Sequence, residues 1–189
     1  TVFGVIMYIM DFIAWALVIS VGFNLLLFIP AYKFNTDKLT DLSYALSFII
    51  LAAVGFSQSQ KTPVQTILLF MIGLWAIRLG GFLFIRIRKI KRDSRFDQMR
   101  GSFSKFGRFW LFQGVSVFLV MSAALAQWDS PKLTIGWLSY VGWVIFGFGL
   151  VIESLADFQK YRFNRDKKQD LWIDTGFWRA SRHANYLGE

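Results

Sequence analysis

The sequence predicts an all-α, polytopic transmembrane helix bundle. Of its 189 residues, 55% are apolar and 19% aromatic, whereas ordinary soluble domains hold about 45–50% apolar residues even with glycine counted. Five predominantly apolar runs approach or reach the length of about 17 to 25 residues that spans hydrocarbon as a helix. The basic residues also divide unequally between alternate connections, as they do in membrane proteins.

The first run covers residues 2–29 and is interrupted by Asp11 and Asn24. The second, 41–56, is short for a span. The third, 64–87, carries Arg78 inside it, and the fourth, 109–127, is uncharged throughout. The fifth, 134–158, turns polar only towards its end, at Glu153 and Asp157. At about 20 residues each the spans use roughly 100 positions, which leaves little for a separate soluble domain. Residues 1–189 are therefore expected to form one integral-membrane domain.

The connections are 30–40, 57–63, 88–108, 128–133 and a tail, 159–189. Pro30, Pro63 and Pro131 all fall in them, as expected of a residue that punctuates helices. No internal repeat or low-complexity segment is evident. A basic n-region and a small-residue cleavage site are both absent, so no cleavable signal is expected. The first residue is not Met, and the chain reads as a fragment.

Residues 86–108 contain nine Lys/Arg and 159–189 contain seven; with Lys33 and Lys38 these lie on one side, against Lys61 and Lys132 on the other, an 18-to-2 split with Arg78 in the membrane. The positive-inside rule makes the rich side cytoplasmic and turns the N-terminus away from it. A bacterial inner membrane is the expected location. The same loops would attract anionic lipid. Nucleic acid is not an expected partner, because no recognition helix or basic-aromatic module surrounds the charges.

Composition also excludes chemistries. The chain has no Cys and a single His, His183. A disulfide framework, a thiolate nucleophile, an Fe–S cluster and a multi-His metal site are all ruled out within one chain, and no metal is expected.

Polar groups inside spans are costly, at about 2.5 to 3.5 kcal/mol each on insertion scales, and normally face the protein interior. Arg78 is either a buried or snorkelling ion-pair member or an anion-binding group on an internal cavity, with Asp11 as a candidate partner. Glu153, Asp157 and Lys160 recur at i, i+4 and i+7 and share one helix face. That stripe is either a solvated helix end or part of a site. The segment after it concentrates donors, acceptors and aromatics, among them Arg162, Asn164, Arg165, Trp172, Trp178, Arg182, His183, Asn185, Tyr186 and Glu189. Such density suits a cofactor bearing phosphates and a base. Asp174-Thr175-Gly176 is expected to turn the chain into a helix starting near Trp178.

The blocks Glu153-Ser154-Leu155-Ala156-Asp157-Phe158-Gln159-Lys160, Thr175-Gly176-Phe177-Trp178 and Ser181-Arg182-His183-Ala184-Asn185-Tyr186-Leu187-Gly188-Glu189 resemble the signature of the bacterial membrane family related to steroid 5-alpha-reductases. Leu74-Trp75-Ala76-Ile77-Arg78-Leu79-Gly80 and the segment from Asp93 to Gly101 also resemble it. The resemblance implies a seven-helix membrane enzyme, of which this chain carries five spans and lacks the C-terminal helices. It implies reduction by NADPH of a carbon–carbon double bond conjugated to a ketone in a steroid or other lipid, with NADP(H) as cofactor and a hydrophobic small molecule as substrate.

Residue by residue, the resemblance places Glu153 where steroid reductases have an Asn near the cofactor and matches Asp157 to their acid. It also matches Asn185 and Glu189 to the C-terminal signature, and Arg78, Arg86 and Arg88 to basic positions at the phosphate side. Three positions depart from the pattern. Trp75 stands where steroid reductases carry a Tyr, their second-span Gln-Glu pair has no counterpart around residues 41–46, and Ala184 replaces a Pro common in the bacterial relatives.

For the chemistry, Arg86, Arg88, Arg162, Arg165 and Arg182 are available to grip phosphates. Tyr186 is the first candidate for the group that donates to the substrate carbonyl, with His183 second. Both also have bland readings, as an interfacial aromatic and a structural hydrogen-bonding group. Two other functions remain open. One is an S-adenosylmethionine-dependent membrane methyltransferase of the isoprenylcysteine or phospholipid type, which shares a similar Arg-His-x-x-Tyr-x-Gly stretch. The other is a non-catalytic lipid-binding relative.

Overall fold

Hydrocarbon offers a peptide group no hydrogen-bond partner, so each long apolar run must close its backbone bonds within itself as a helix. The computed structural model describes the backbone of residues 2–90, 93–130, 134–166 and 172–189, and the side chains of 12–87, 93–130, 134–165 and 172–189. Along them run α1 (Val2–Lys33), α2 (Lys38–Gln58), α3 (Pro63–Ile90), α4 (Phe103–Asp129), α5 (Trp137–Asp166), α6 (Phe177–Ala180) and α7 (Ala184–Gly188), with one 3₁₀ turn at Ser94–Phe96. Helices α1 to α5 are long and apolar enough to cross a membrane. The chain is an all-α integral membrane protein.

The helices outrun the apolar segments. Helix α2 is 21 residues long and starts at Lys38, not at Asp41, so it is not short for a span. Helices α3, α4 and α5 continue to Ile90, begin at Phe103 and continue to Asp166. Lys and Arg are good helix formers, and water satisfies the backbone past the hydrocarbon edge, so polarity does not end the helix there. Pro30 lies inside α1, three residues before its end. The helix stops instead at Asn35, whose φ of +51° lets Asn35 N–H reach Tyr32 O at 3.1 Å and Thr36 N–H reach Ala31 O at 2.9 Å. That pair is a Schellman closure. Pro63, by contrast, opens α3, where Thr62 and Gln65 cap reciprocally: Thr62 N–H donates to Gln65 Oε1 at 3.0 Å and Gln65 N–H to Thr62 Oγ1 at 3.4 Å. This is the capping-box arrangement with Pro at the first helical position. Pro131 lies outside the described residues.

The chain forms two units, Thr1–Thr134 and Ile135–Glu189. In the first, α1, α2 and α4 enclose a polar seam between two apolar clusters. Gln113 Nε2 on α4 donates to Asn24 Oδ1 at 2.8 Å, Ser43 Oγ at 2.7 Å and the Thr40 carbonyl at 3.1 Å, sharing its two hydrogens among them. Asn24 Nδ2 donates to Ser47 Oγ at 2.9 Å, and Ser20 Oγ to the Gly114 carbonyl at 2.7 Å. All these side chains are buried. In a bilayer such bonds hold helices together where apolar contact alone does not distinguish protein from lipid. On one side of the seam lie Phe48, Leu51, Val117, Met121, Leu125 and Trp128; on the other lie Phe28, Phe96, Phe106 and Trp110. At the far end Gln65 Nε2 donates to the carbonyls of Gln127, Trp128 and Ser130, and Trp128 Nε1 returns a bond to the Gln65 carbonyl at 3.1 Å. This ties the start of α3 to the end of α4.

The second unit is α5 with α6 and α7 folded against its C-terminal half. Helix α7 crosses so closely that a Cβ on Gly149 would lie 2.5 Å from the Gly188 carbonyl oxygen, and one on Gly188 would lie 2.5 Å from Glu153 N. Only glycine at both positions permits that backbone approach.

Candidate functional site

In the second unit the turn after Thr175 is built as the sequence predicts. Gly176 adopts φ +59°, and any Cβ there would strike the Gln159 amide at 2.5 Å. Gln159 Oε1 accepts the Phe177 N–H at 3.1 Å, and Trp178 donates its indole N–H to the Ala156 carbonyl at 2.9 Å. These two bonds fix α6 on α5. Trp178, Ala156 and Ala184 form the small core of this unit. Lys160 Nζ then lies 4.8 Å from the centre of the Trp178 ring, at cation–π distance.

Beside this pair opens a hollow of about 790 Å³ lined by Lys160, Phe163, Asn164, Trp172, Ile173, Asp174, Trp178, Arg179 and Arg182. Three cations, two indoles, an amide and a carboxylate converge there. Its size lies in the range of small-molecule and cofactor sites. Arg and Lys suit phosphate oxygens, an indole suits a flat ring, and Asp174 and Asn164 suit sugar hydroxyls. The described lining therefore fits a phosphate-bearing nucleotide.

The sequence-derived candidates distribute unevenly around that hollow. Asn164 and Arg182 line it. Glu153 and Asp157 are 3% and 5% exposed and sit in α5 beside Ala156; neither is among the residues that line the hollow. Asn185 is half-buried and Glu189 exposed; neither lines it. Arg162 and Arg165 are exposed, and at about 100° per residue they lie about 160° and 140° around α5 from Lys160. His183 and Tyr186 are exposed and stack on each other at 5.6 Å with a 24° interplanar angle, outside the lining. Lys160, Trp172, Asp174, Trp178 and Arg179 complete the hollow. Arg179 lies in the same dense polar segment as Arg182, and neither it nor Lys160 stood out in the sequence as a phosphate-gripping cation, although the Arg179-x-x-Arg182 spacing was visible.

The remaining candidates, Arg78, Arg86 and Arg88, belong to the first unit. Arg78 is half-buried on α3. The side chains of Arg88 and of Asp11 lie outside the described residues. Arg86 joins an ion-pair network that the sequence did not reveal. Its Nη2 lies 2.9 Å from Asp93 Oδ2 and 4.0 Å from Asp41 Oδ2. Asp37 and Arg100, 4% and 6% exposed at their side chains, pair at 3.1 Å. Asp37 Oδ2 also accepts the Asp93 N–H at 2.7 Å, and Arg100 donates to the Asp93 carbonyl at 3.1 Å and Asp97 Oδ1 at 3.0 Å. The segment between α3 and α4 is thus latched to the start of α2. Because Arg86 and Arg100 are committed to carboxylates, the network reads as a structural lock.

Asp93 titrates within this lock. Its carboxylate accepts the Arg95 side chain and the Arg95 backbone N–H, and with the charges of Arg95 and Arg86 these contacts outweigh desolvation and lower its pKa from 3.8 to about 2. A lowered pKa stabilises the fold above the ordinary carboxylate range, and the gain disappears as pH falls from about 4 through about 2. Since Arg95 is 61% exposed, screening holds the gain to the order of 1 kcal/mol. The detergent-solubilised protein is expected to lose melting temperature over that acid window, and Asp93→Asn should flatten the loss while lowering the melting temperature at pH 7. An unchanged acid profile in the variant would remove Asp93 from the account.

Residues 27–189 match the model of the DUF1295 family, described as a protein family of unknown function, and the chain belongs to that family. No curated protein and no solved structure matches it significantly.

Proposed function

We propose that the hollow of the second unit holds NADPH and that the protein is an NADPH-dependent reductase of a conjugated carbon–carbon double bond in a steroid-like or other lipid. The observation that carries this reading is the convergence of Lys160, Arg179 and Arg182 with Trp172 and Trp178 on one hollow. The resemblance of the blocks at 153–160 and 181–189 to the steroid 5-alpha-reductase relatives supports it independently. By the positive-inside rule the hollow opens to the cytoplasm of a bacterial cell, where NADPH is available.

Arg179 and Arg182 hold phosphates through charge-assisted bonds, and Lys160, already over Trp178, adds a third cation. Trp172, 82% exposed, is free to close on a flat ring. When bound, the dihydronicotinamide supplies a hydride to the β-carbon of an enone. The chain must then stabilise charge growing on the carbonyl oxygen. Tyr186, stacked on His183 outside the hollow's lining, would serve as that donor only for a carbonyl held beside α7. The apolar substrate reaches the site from the membrane.

Arg182→Ala is expected to weaken NADPH binding about 10- to 100-fold, the worth of one charged hydrogen bond to phosphate, with the melting temperature little changed. Titration calorimetry on the reconstituted protein reads this. Unchanged affinity would remove Arg182 from the site. S-adenosylmethionine binding in place of NADPH would favour the methyltransferase, and binding of lipid alone would favour a non-catalytic relative.

A further inference from the structure

We infer that Gln159 is a positioning residue of the hollow, acting through the Gly176 turn to seat the Trp178 ring against the Lys160 ammonium. Gln159 is not among the residues that line the hollow. It touches the chain that delivers them. Ala156, Gln159 and Lys160 stand at i, i+3 and i+4 on α5 and so share a face, and each meets the segment 176–178. The Ala156 carbonyl accepts the Trp178 indole N–H at 2.9 Å, Gln159 Oε1 accepts the Phe177 N–H at 3.1 Å, and Lys160 Nζ stands 4.8 Å from the centre of the Trp178 ring.

The Gln159 bond is one that the segment cannot supply for itself. The first N–H groups of a helix have no partner inside it, and Gly176, which precedes α6, has no side chain with which to cap them. Gln159 therefore caps α6 from another helix. Its amide also lies flat against Gly176, since a Cβ there would stand 2.5 Å from Nε2, 2.6 Å from Oε1 and 2.7 Å from Cδ. The φ of +59° at Gly176 is open to glycine without steric cost. Turn and amide thus fit each other, and withdrawing the amide frees the turn. Trp178 then loses its place over Ala156 and under Lys160, and Arg179 and Arg182 follow it along the chain. A lysine carries a compact charge on a flexible stem, and the ring face is what gives that charge a fixed position. The benefit to a nucleotide phosphate rests on the function proposed above, whereas the seating of Lys160 does not.

The test uses the whole chain in detergent with its lysines reductively ¹³C-methylated, a modification that keeps their charge. The Lys160 methyl signal, assigned by its loss in Lys160→Arg, is expected upfield of the other lysine signals through the ring current of Trp178. Gln159→Leu lacks an acceptor, and Gln159→Asn has an amide one methylene short of Phe177. Both should return the signal to the position of the other lysines and weaken NADPH binding about 3- to 10-fold, the worth of one neutral hydrogen bond. Gln159→Glu keeps an acceptor at full reach and should leave the signal upfield. An unshifted Lys160 signal in the protein without substitutions, an upfield signal that survives in both Gln159→Leu and Gln159→Asn, or its loss in Gln159→Glu overturns the inference. A signal that behaves as expected in a protein that does not bind NADPH upholds the positioning of Lys160 and removes the nucleotide.

Discussion

Replacing Arg100 with alanine is expected to destabilise the first unit by about 3 to 5 kcal/mol, the cost of leaving a buried charge without its partner. Asp37 is the charge left behind: its carboxylate keeps only the Asp93 N–H among its described partners once Arg100 is gone. The same truncation releases the Asp93 carbonyl and Asp97, so the segment 93–102 loses its hold on α2. Arg100→Lys recovers only part of the loss, because one ammonium does not reproduce a guanidinium that contacts three groups. Removing Asp37 together with Arg100 should cost clearly less than the sum of the single changes. Thermal unfolding in detergent measures each term. A loss below about 1 kcal/mol for Arg100→Ala, the value of a surface pair, would contradict the buried lock.

Gly114→Val is expected to separate α1 from α4. A Cβ at Gly114 would lie 2.8 Å from the Val21 Cα and 3.1 Å from the Ser20 carbonyl oxygen. Both obstacles are backbone, so no rotamer relieves them and the helices must move apart. The movement stretches the Ser20 Oγ bond to the Gly114 carbonyl, 2.7 Å long, and disturbs the adjoining Gln113 contacts. Overpacking alone costs about 1 to 3 kcal/mol, and the polar seam adds to it. Gly22→Ala and Gly73→Ala serve as references, since a Cβ at either meets nothing within 4 Å. These should be neutral or slightly stabilising, because alanine is the better helix residue. Equal stability of Gly114→Val and Gly73→Ala would show that the α1–α4 crossing is wrong.

The five spans were legible because an apolar run of that length has few alternatives. Their ends were not: at Arg86 and Arg162 composition changes while helix propensity does not, so the helices continue. Pro30 misled for a related reason, since a proline near the last turn of a helix sacrifices one bond without ending it, and the terminator was Asn35. The polar seam was the largest omission. A single Gln113 in an uncharged run looks incidental, and it acquires meaning only through Asn24 and Ser43, 89 and 70 residues away. The one local signal was the spacing of Thr40, Ser43 and Ser47 on a single face of α2. Asp37 and Arg100 were hidden likewise, because basic and acidic residues in a connecting segment ordinarily face water.

In the candidate site, the density of polar groups after Phe158 treated thirty residues as one surface, and of the candidates named there for cofactor binding only Asn164 and Arg182 line the hollow. Helical phase divides them. Lys160 and Asn164 turn to the hollow and Arg162 and Arg165 turn to the other side of α5, whereas Glu153 and Asp157 share the Lys160 face but lie earlier along the helix, buried beside Ala156. Phase was available from the numbering; which phase α6 and α7 would cover was not.

The most direct test of nucleotide binding in the hollow is affinity labelling with periodate-oxidised NADP⁺, whose dialdehyde forms an imine with a nearby lysine and is fixed by borohydride. After digestion and mass spectrometry, the account predicts label on Lys160 that NADPH suppresses and S-adenosylmethionine does not. Label confined to lysines outside the hollow, or label on Lys160 that NADPH fails to suppress, would contradict it.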